Sequence, residues 1–243
     1  TFTAATGTVA YVGGGTANII VATTTFYNLQ LTPTSTAAVR TYKFGAFAVD
    51  QKSQAATTTV SNVFTINDAA KADFQGMADL LLSGSGTVFS KANGDFMQSS
   101  KVVYSSTSAT NIATGTYNNL VLTGAVTKTL LGNTTATSTL TIPASGTLAA
   151  GNNTLTVTSA TVTNTGTLTM GDTGTLTAGS SAFTTSGTLT LGNSTVTLTS
   201  ATFANRGTVT IGATGVVTAT GATWTNTGTV TETSGGKIVL ASA

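Results

Sequence analysis

The chain has 243 residues, no cysteine and no histidine, and it carries nine Lys or Arg against seven Asp or Glu. The missing residue types exclude disulfides, thiol chemistry, Ser–His and Cys–His nucleophile pairs and nearly all zinc or copper sites. A net charge of +2 is too small to steer the chain to nucleic acid or a membrane surface, and no apolar run approaches the ~18 residues of a membrane span. Charged residues make up 7% of the chain, against about 25% in an ordinary globular protein. Thr, Gly, Ser and Asn take their place, so the surface is polar yet hardly repels copies of itself. The chain opens at Thr1 with no visible signal peptide, which reads as a processed, extracellular product.

From the N-terminus, short alternating segments recur with a long offset. Val9-x-Tyr11 and Asn18-Ile19 reappear 93 residues later as Val102-x-Tyr104 and Asn111-Ile112. Asn28-Leu29-x-Leu31-Thr32 reappears 91 residues later as Asn119-Leu120-x-Leu122-Thr123. These offsets read as a duplication, with an irregular unit over 1–99 and a regular Thr-rich unit over 100–243. The first unit is the more charged, since eleven of the sixteen charged residues lie by Lys101. Within it, Asp68–Leu82 is ambiguous. Phe74, Met77, Ala78 and Leu81 match helical spacing, but Gly86-Thr87-Val88 follows in strand fashion, and strand is the preferred reading.

From Gly146 onward the period is explicit. Gly-Thr-(Leu/Val) recurs at Gly146, Gly166, Gly187, Gly207 and Gly228, at intervals of 20, 21, 20 and 21. Two residues after each marker glycine stand Leu148, Leu168, Leu189, Val209 and Val230. Four residues before it stand Ile142, Val162, Phe183, Phe203 and Trp224. The one-residue difference sits in the turn: Gly151-Asn152-Asn153 and Gly192-Asn193-Ser194 in the short coils, Gly171-Asp172-Thr173-Gly174 and Gly212-Ala213-Thr214-Gly215 in the long ones. Each coil holds three short strands: a first at the marker, a second after the turn, and a third bearing the aromatic column. One coil cannot bury its own apolar face, but stacked coils can, ~4.8 Å apart. β-Branched Thr and Val with glycine every few residues rule out helix. The expected fold is an all-β parallel β-helix (β-solenoid) of 11–12 coils, near 55 Å long, with Leu168, Leu189, Val209, Phe183, Phe203 and Trp224 as its core ladders.

Gly115-Thr116-Tyr117-Asn118-Asn119-Leu120-Val121-Leu122-Thr123-Gly124, continued by Thr127-Lys128-Thr129-Leu130 and Thr139-Leu140-Thr141-Ile142, resembles the β-strand repeats of large bacterial surface proteins. These are similar to autotransporter passengers and filamentous-haemagglutinin-like adhesins. The resemblance implies secretion, a right-handed parallel β-helix, and a role in adhesion, surface coating or fibres. It brings no catalytic residue and no cofactor.

Parallel β-helices that cleave polysaccharides need clustered carboxylates. From Val102 on, the only acids are Asp172 and Glu232, three coils and therefore about 14 Å apart, beyond the roughly 5–9.5 Å of glycosidase pairs. Asp50, Asp68, Asp73, Asp79 and Asp95, with Lys71 and Lys91, read as solvated loop residues. Asp68 and Asp73 match no calcium-loop spacing. Lys128 and Arg206 read as isolated solubilising charges, Trp224 as core rather than a sugar platform, and the sequons at Asn133, Asn152 and Asn193 as chance. No enzyme activity, metal or cofactor is expected. Outward Thr167/Thr169, Thr188/Thr190, Thr208/Thr210 and Thr229/Thr231 form a two-wide array like that of ice-binding solenoids. Thr154/Thr156, Thr175/Thr177 and Thr195/Thr197 on the second strand make that face less special, so ice binding is the lesser alternative.

The two ends suggest self-assembly. Thr1-Phe2-Thr3-Ala4-Ala5-Thr6-Gly7-Thr8-Val9 matches Ala201–Val209 with Phe2 displaced by one, so the chain opens on a third strand followed by a first. At the other end, Ile238 and Leu240 take the inward positions of a second strand. Thr1, Phe2, Thr3, Ala4 and Ala5 of one copy would complete the last coil of its neighbour and build a homopolymeric fibre. The alternative is a monomeric adhesin that binds surface glycans or host proteins.

Overall fold

The computed structural model describes all residues except 1–5, 14–18, 22–23, 37, 45, 48–52, 55, 75–77, 92–94, 99–100 and 242–243. The described residues form strands and turns with no helix, arranged as a parallel β-solenoid of about 10 coils with three strands per coil. The chain divides into two compact units, Thr1–Ala113 and Thr114–Ala243.

The first unit contains β1 (Thr8–Gly13), β2 (Ile19–Val21), β3 (Thr25–Pro33), β4 (Arg40–Phe44), β5 (Ala46–Phe47), β6 (Ser53–Gln54) and β7 (Ala56–Ile66). It continues through β8 (Ala70–Phe74), β9 (Ala78–Leu82), β10 (Gly86–Thr87), β11 (Phe89–Lys91), β12 (Asp95–Gln98), β13 (Lys101–Tyr104) and β14 (Thr110–Ile112). Its coils are uneven: Val9 of β1 opposes Leu29 of β3 at 20 residues, and the later coils are longer. Leu29 of β3 opposes Phe64 of β7, 35 residues on, because the antiparallel β5–β6 hairpin is inserted between them. Elsewhere Phe64 opposes Phe89, 25 residues on, and Leu80 opposes Val102, 22 on. These longer coils explain why the chain makes about 10 coils rather than 11–12.

Two further expectations for this unit need correcting. Thr8–Gly13 pairs with Asn28–Pro33 and not with any Gly-Thr marker strand, so Gly7-Thr8-Val9 is not a first strand. The segment Asp68–Leu82 holds two strands, β8 and β9. Leu80 and Leu82 are buried while Leu81 is half-exposed, so period 2 prevails over the helical set.

The second unit opens with β15 (Gly115–Leu122), β16 (Thr127–Leu130), β17 (Thr134–Ile142), β18 (Thr147–Gly151), β19 (Thr154–Thr158), β20 (Thr161–Asn164), β21 (Thr167–Met170) and β22 (Thr175–Gly179). It closes with β23 (Ala182–Thr185), β24 (Thr188–Gly192), β25 (Thr195–Thr199), β26 (Thr202–Asn205), β27 (Thr208–Ile211), β28 (Val216–Thr220), β29 (Thr223–Asn226), β30 (Thr229–Glu232) and β31 (Lys237–Ala241). First strands stack as β16–β18–β21–β24–β27–β30, second strands as β19–β22–β25–β28–β31, and third strands as β20–β23–β26–β29. The alternating coil length appears as a register shift at Ala149/Gly151 and again at Thr190/Gly192. Gly151 and Gly192 take φ of 60° and 53° there, which a glycine adopts without steric cost.

The marker glycines have a different reason. None has positive φ; a Cβ on Gly187 would overlap the Gly166 carbonyl oxygen, and one on Gly207 that of Gly187. Stacking brings backbone onto backbone at this corner, where no side chain fits.

The corner between second and third strands is left-handed in the four coils from β19 to β31: Ser159, Ser180 and Ser200 have φ of 53°, 49° and 50°, and Gly221 takes 57°. Each N–H donates to the coil above, as Ser180 does to the Thr199 carbonyl at 2.9 Å. A left-handed non-glycine residue costs ~1–2 kcal/mol, partly offset in a glycine variant by greater freedom of the unfolded chain. Ser180→Gly is therefore expected to gain ~0.5–1 kcal/mol in urea denaturation, and a loss of stability would contradict this reading of the corner.

Candidate functional site

Inward positions of the second unit form continuous ladders. Leu148, Leu168, Leu189, Val209 and Val230 stand in direct register, and Leu168, Leu189 and Val209 are fully buried. Phe183 stacks on Phe203 at 5.2 Å between centroids, and Phe203 on Trp224 at 4.4 Å, each pair within 25° of parallel. Trp224 is half-buried, because its outer face has no coil upon it.

Beside the aromatic column runs a polar ladder that composition alone did not reveal: Asn164, Thr185, Asn205 and Asn226, in register. The first three are buried. Asn164 Nδ2 donates to Thr185 Oγ1 (3.0 Å) and to the Thr188 carbonyl (2.9 Å). Asn205 Nδ2 donates to Asn226 Oδ1 (2.7 Å) and the Thr229 carbonyl (3.1 Å), while Gly207 N donates to Asn205 Oδ1. The ladder ties β20 and β26 each to the marker corner of the next coil. Its signal was an Asn or Thr two residues ahead of the marker glycine at 166, 187, 207 and 228.

Outside, Thr167/Thr169, Thr188/Thr190, Thr208/Thr210 and Thr229/Thr231 make two files in unbroken register. The register shifts fall beyond the Thr pairs and leave the files aligned. On the second-strand face the files are interrupted by Val216, Lys237 and Val239.

The last coil, β29–β31, leaves its columns uncovered. Ile238 stands over Val217 and Leu240 over Ala219, and both residues below are buried. Ile238 is half-buried and Leu240 is 67% exposed. Thr1, Phe2, Thr3, Ala4 and Ala5, the other half of the expected contact, lie outside the described residues.

Several charged residues are placed differently from expectation. Asp73, Asp79 and Asp95 lie on strands rather than loops, and only Asp68 of the described acids in this unit sits in a turn. Cross-strand register opposes Lys43 to Asp73, the arrangement that lets unlike charges share a sheet face. Asp79 pairs with Lys101 at 3.0 Å. Asp50 lies outside the described residues. Among the described residues, no three His, Cys, Asp or Glu come together as metal ligands would. Asp172 accepts from Asn193 Nδ2 at 3.2 Å. Asn152 and Asn193 each accept a backbone N–H of the next turn, at Thr173 and Thr214. Arg206 is exposed, in keeping with a solubilising role.

Lys128 is not a solubilising surface charge. Its side chain is 1% exposed, it stands in register with Leu148 in the inward column, and its Nζ donates to the Thr123 carbonyl at 2.6 Å. Burial lowers its pKa below the ordinary lysine value. Between that lowered value and the unfolded value of about 10.4, the unfolded chain binds more protons than the folded one, so stability rises with pH across this window. Lys128→Met keeps the apolar stem and removes the ammonium. The variant is expected to be the more stable at neutral pH, with the gap to the parent narrowing as pH climbs toward 10; a gap that widens in thermal melts would contradict the burial argument. Burial likewise raises Tyr42 above the ordinary tyrosine value, with the Arg40 guanidinium acting in the opposite direction.

No family model, curated protein or solved structure matches the chain.

Proposed function

We propose that the chain is a non-catalytic structural protein of the cell exterior, a surface-fibre subunit that extends by seating a second copy on its last coil. The observation behind this reading is the set of inward ladders that continue in register into β29–β31, where Trp224, Val230, Ile238 and Leu240 stand over buried residues and are themselves more exposed. An uncovered solenoid edge offers both apolar columns and unpaired backbone groups to another strand. A head-to-tail contact of that kind does not close on itself and so yields a fibre. The extracellular setting rests on the low charge and on the resemblance to secreted β-strand repeats. Electron microscopy of the native protein beside a variant lacking residues 1–6 tests the reading. Filaments that shorten or vanish on deletion support it; a native sample that stays monomeric at high concentration rejects it.

A second reading is favoured by one observation, the unbroken Thr-x-Thr files of β21, β24, β27 and β30. Hydroxyls at ~4.8 Å between strands and about 6.6–7 Å along them form a lattice suited to ordered water. Ice shaped into facets by micromolar protein, and lost in Thr190→Lys, would promote ice binding above the fibre role.

A further inference from the structure

The three sequons that look scattered along the chain fall on one corner of the second unit. Asn133 lies between β16 and β17, Asn152 between β18 and β19, and Asn193 between β24 and β25. Each reads Gly-Asn-x-Thr, with Thr135, Thr154 and Thr195 as the hydroxyl residues. Asn133 and Asn152 are exposed, Asn193 is half-exposed, and the three threonines lie on the outer side of their strands. Each asparagine anchors its amide oxygen on the next coil: Oδ1 accepts from Thr154 N at 2.8 Å, Thr173 N at 3.3 Å and Thr214 N at 3.1 Å in turn. Nδ2 of Asn133 and Asn152 has no partner among the described residues, and Nδ2 of Asn193 spends one N–H on Asp172. The asparagines ahead of the marker corners are of another kind. Asn164, Asn205 and Asn226 have glycine two residues on, where stacked backbone leaves no room for a side chain.

We propose that Asn133, Asn152 and Asn193 are N-glycosylated, so that sugars line this one corner. An Asn-x-Thr acceptor takes its sugar at a surface turn of an exported chain. Nδ2 bonds to C1 of a sugar activated as a glycosyl phosphate. The bond from C1 to the phosphate oxygen breaks, the phosphate leaves with the electron pair, and one Nδ2 proton passes to a base of the transferase. Oδ1 and the second N–H survive, so the anchoring bonds to Thr154, Thr173, Thr214 and Asp172 are kept. The surface gives the sugars a use. From Val102 on, the charged residues are Lys128, Asp172, Arg206, Glu232 and Lys237, and Lys128 is buried. Bulky polar glycans supply the solubility that so little charge does not. Leu131, 52% exposed, stands two residues ahead of Asn133, where a sugar would shade it from water. Only the extracellular setting is shared with the fibre reading.

Mass spectrometry of the protein purified from the cells that make it tests the proposal. Trypsin acting on the unfolded chain cuts after Lys128 and Arg206 and releases the fragment 129–206, which holds all three acceptors together with Asn153, Asn164 and Asn205 as internal controls. Electron-transfer fragmentation, which leaves sugars attached, is expected to place added mass on Asn133, Asn152 and Asn193 and on none of the controls. Thr154→Val, made in the same cells, keeps a β-branched residue at an outward strand position and removes only the hydroxyl. It is expected to lose the sugar at Asn152 and to keep those at Asn133 and Asn193. A native fragment of unmodified mass overturns the proposal, and so does a Thr154→Val chain that still carries sugar on Asn152. Neither result bears on filament formation, which electron microscopy decides separately.

Discussion

Gly187→Ala is expected to unfold the second unit at ordinary temperature or to cost ~3–5 kcal/mol, among the largest effects of any single methyl group. The added Cβ would overlap the Gly166 carbonyl oxygen and lie 2.6 Å from the carbonyl carbon and oxygen of Thr165. All three atoms are backbone, so no rotamer change relieves the overlap; the coil spacing itself would have to grow. Thr188 N donates to the Gly166 carbonyl at 2.7 Å, and that bond would be strained first. The matched control is Gly179→Ala, where nothing lies within 4 Å of the added atom and φ is not positive. It is expected to fall within about 0.5 kcal/mol of the parent. Urea denaturation of the pair separates a spatial requirement for glycine from a general intolerance of substitution. Equal losses at both positions would contradict the close-approach account.

The second large effect is expected at Phe203→Ala. Phe203 is buried between two rings, Phe183 on one side and Trp224 on the other. Truncation leaves a cavity in the middle of the ladder and costs ~3–5 kcal/mol, with two stacked pairs lost in addition. Trp224 is the single tryptophan of the chain, which makes its emission a local reporter. The variant should show a red-shifted spectrum even where it remains folded, because the indole loses the ring beneath it. Stability and emission both unchanged would mean that the column is not stacked as described.

The regular half of the fold was readable because stacking imposes one residue type on each column. Once the marker glycines were aligned, Leu168, Leu189 and Val209 fell into one file and Phe183, Phe203 and Trp224 into another. The alternating turns were readable for the same reason, since a single added residue must be absorbed before the next strand. Legibility failed where the period is interrupted. The β5–β6 hairpin lengthens one coil of the first unit, so counting at a fixed period overstates the number of coils; Gly7-Thr8-Val9 was misplaced because its likeness to Gly207-Thr208-Val209 is not matched by its strand pairing. It failed too where a charge occupies a core rung. Lys128 sits in a coil with no Gly-Thr marker, and a lone lysine among threonines looks like a surface residue. The polar ladder of Asn164, Thr185 and Asn205 was missed for the opposite reason: Asn and Thr are so common here that their recurrence carries little signal without the hydrogen bonds that use it.

In-register stacking of coils underlies the ladders, the glycine corners and the uncovered end, and paired spin labels test it most directly. Thr169 and Thr190 are outward neighbours on β21 and β24, separated in sequence by one coil and in space by about 4.8 Å between strands. Cysteine replacements at both, labelled with a nitroxide in this otherwise cysteine-free chain, are expected to give an electron paramagnetic resonance spectrum strongly broadened by spin exchange. Each singly labelled protein should give sharp lines. A doubly labelled spectrum equal to the sum of the two single ones would contradict the stacked solenoid, and with it the end face proposed for assembly.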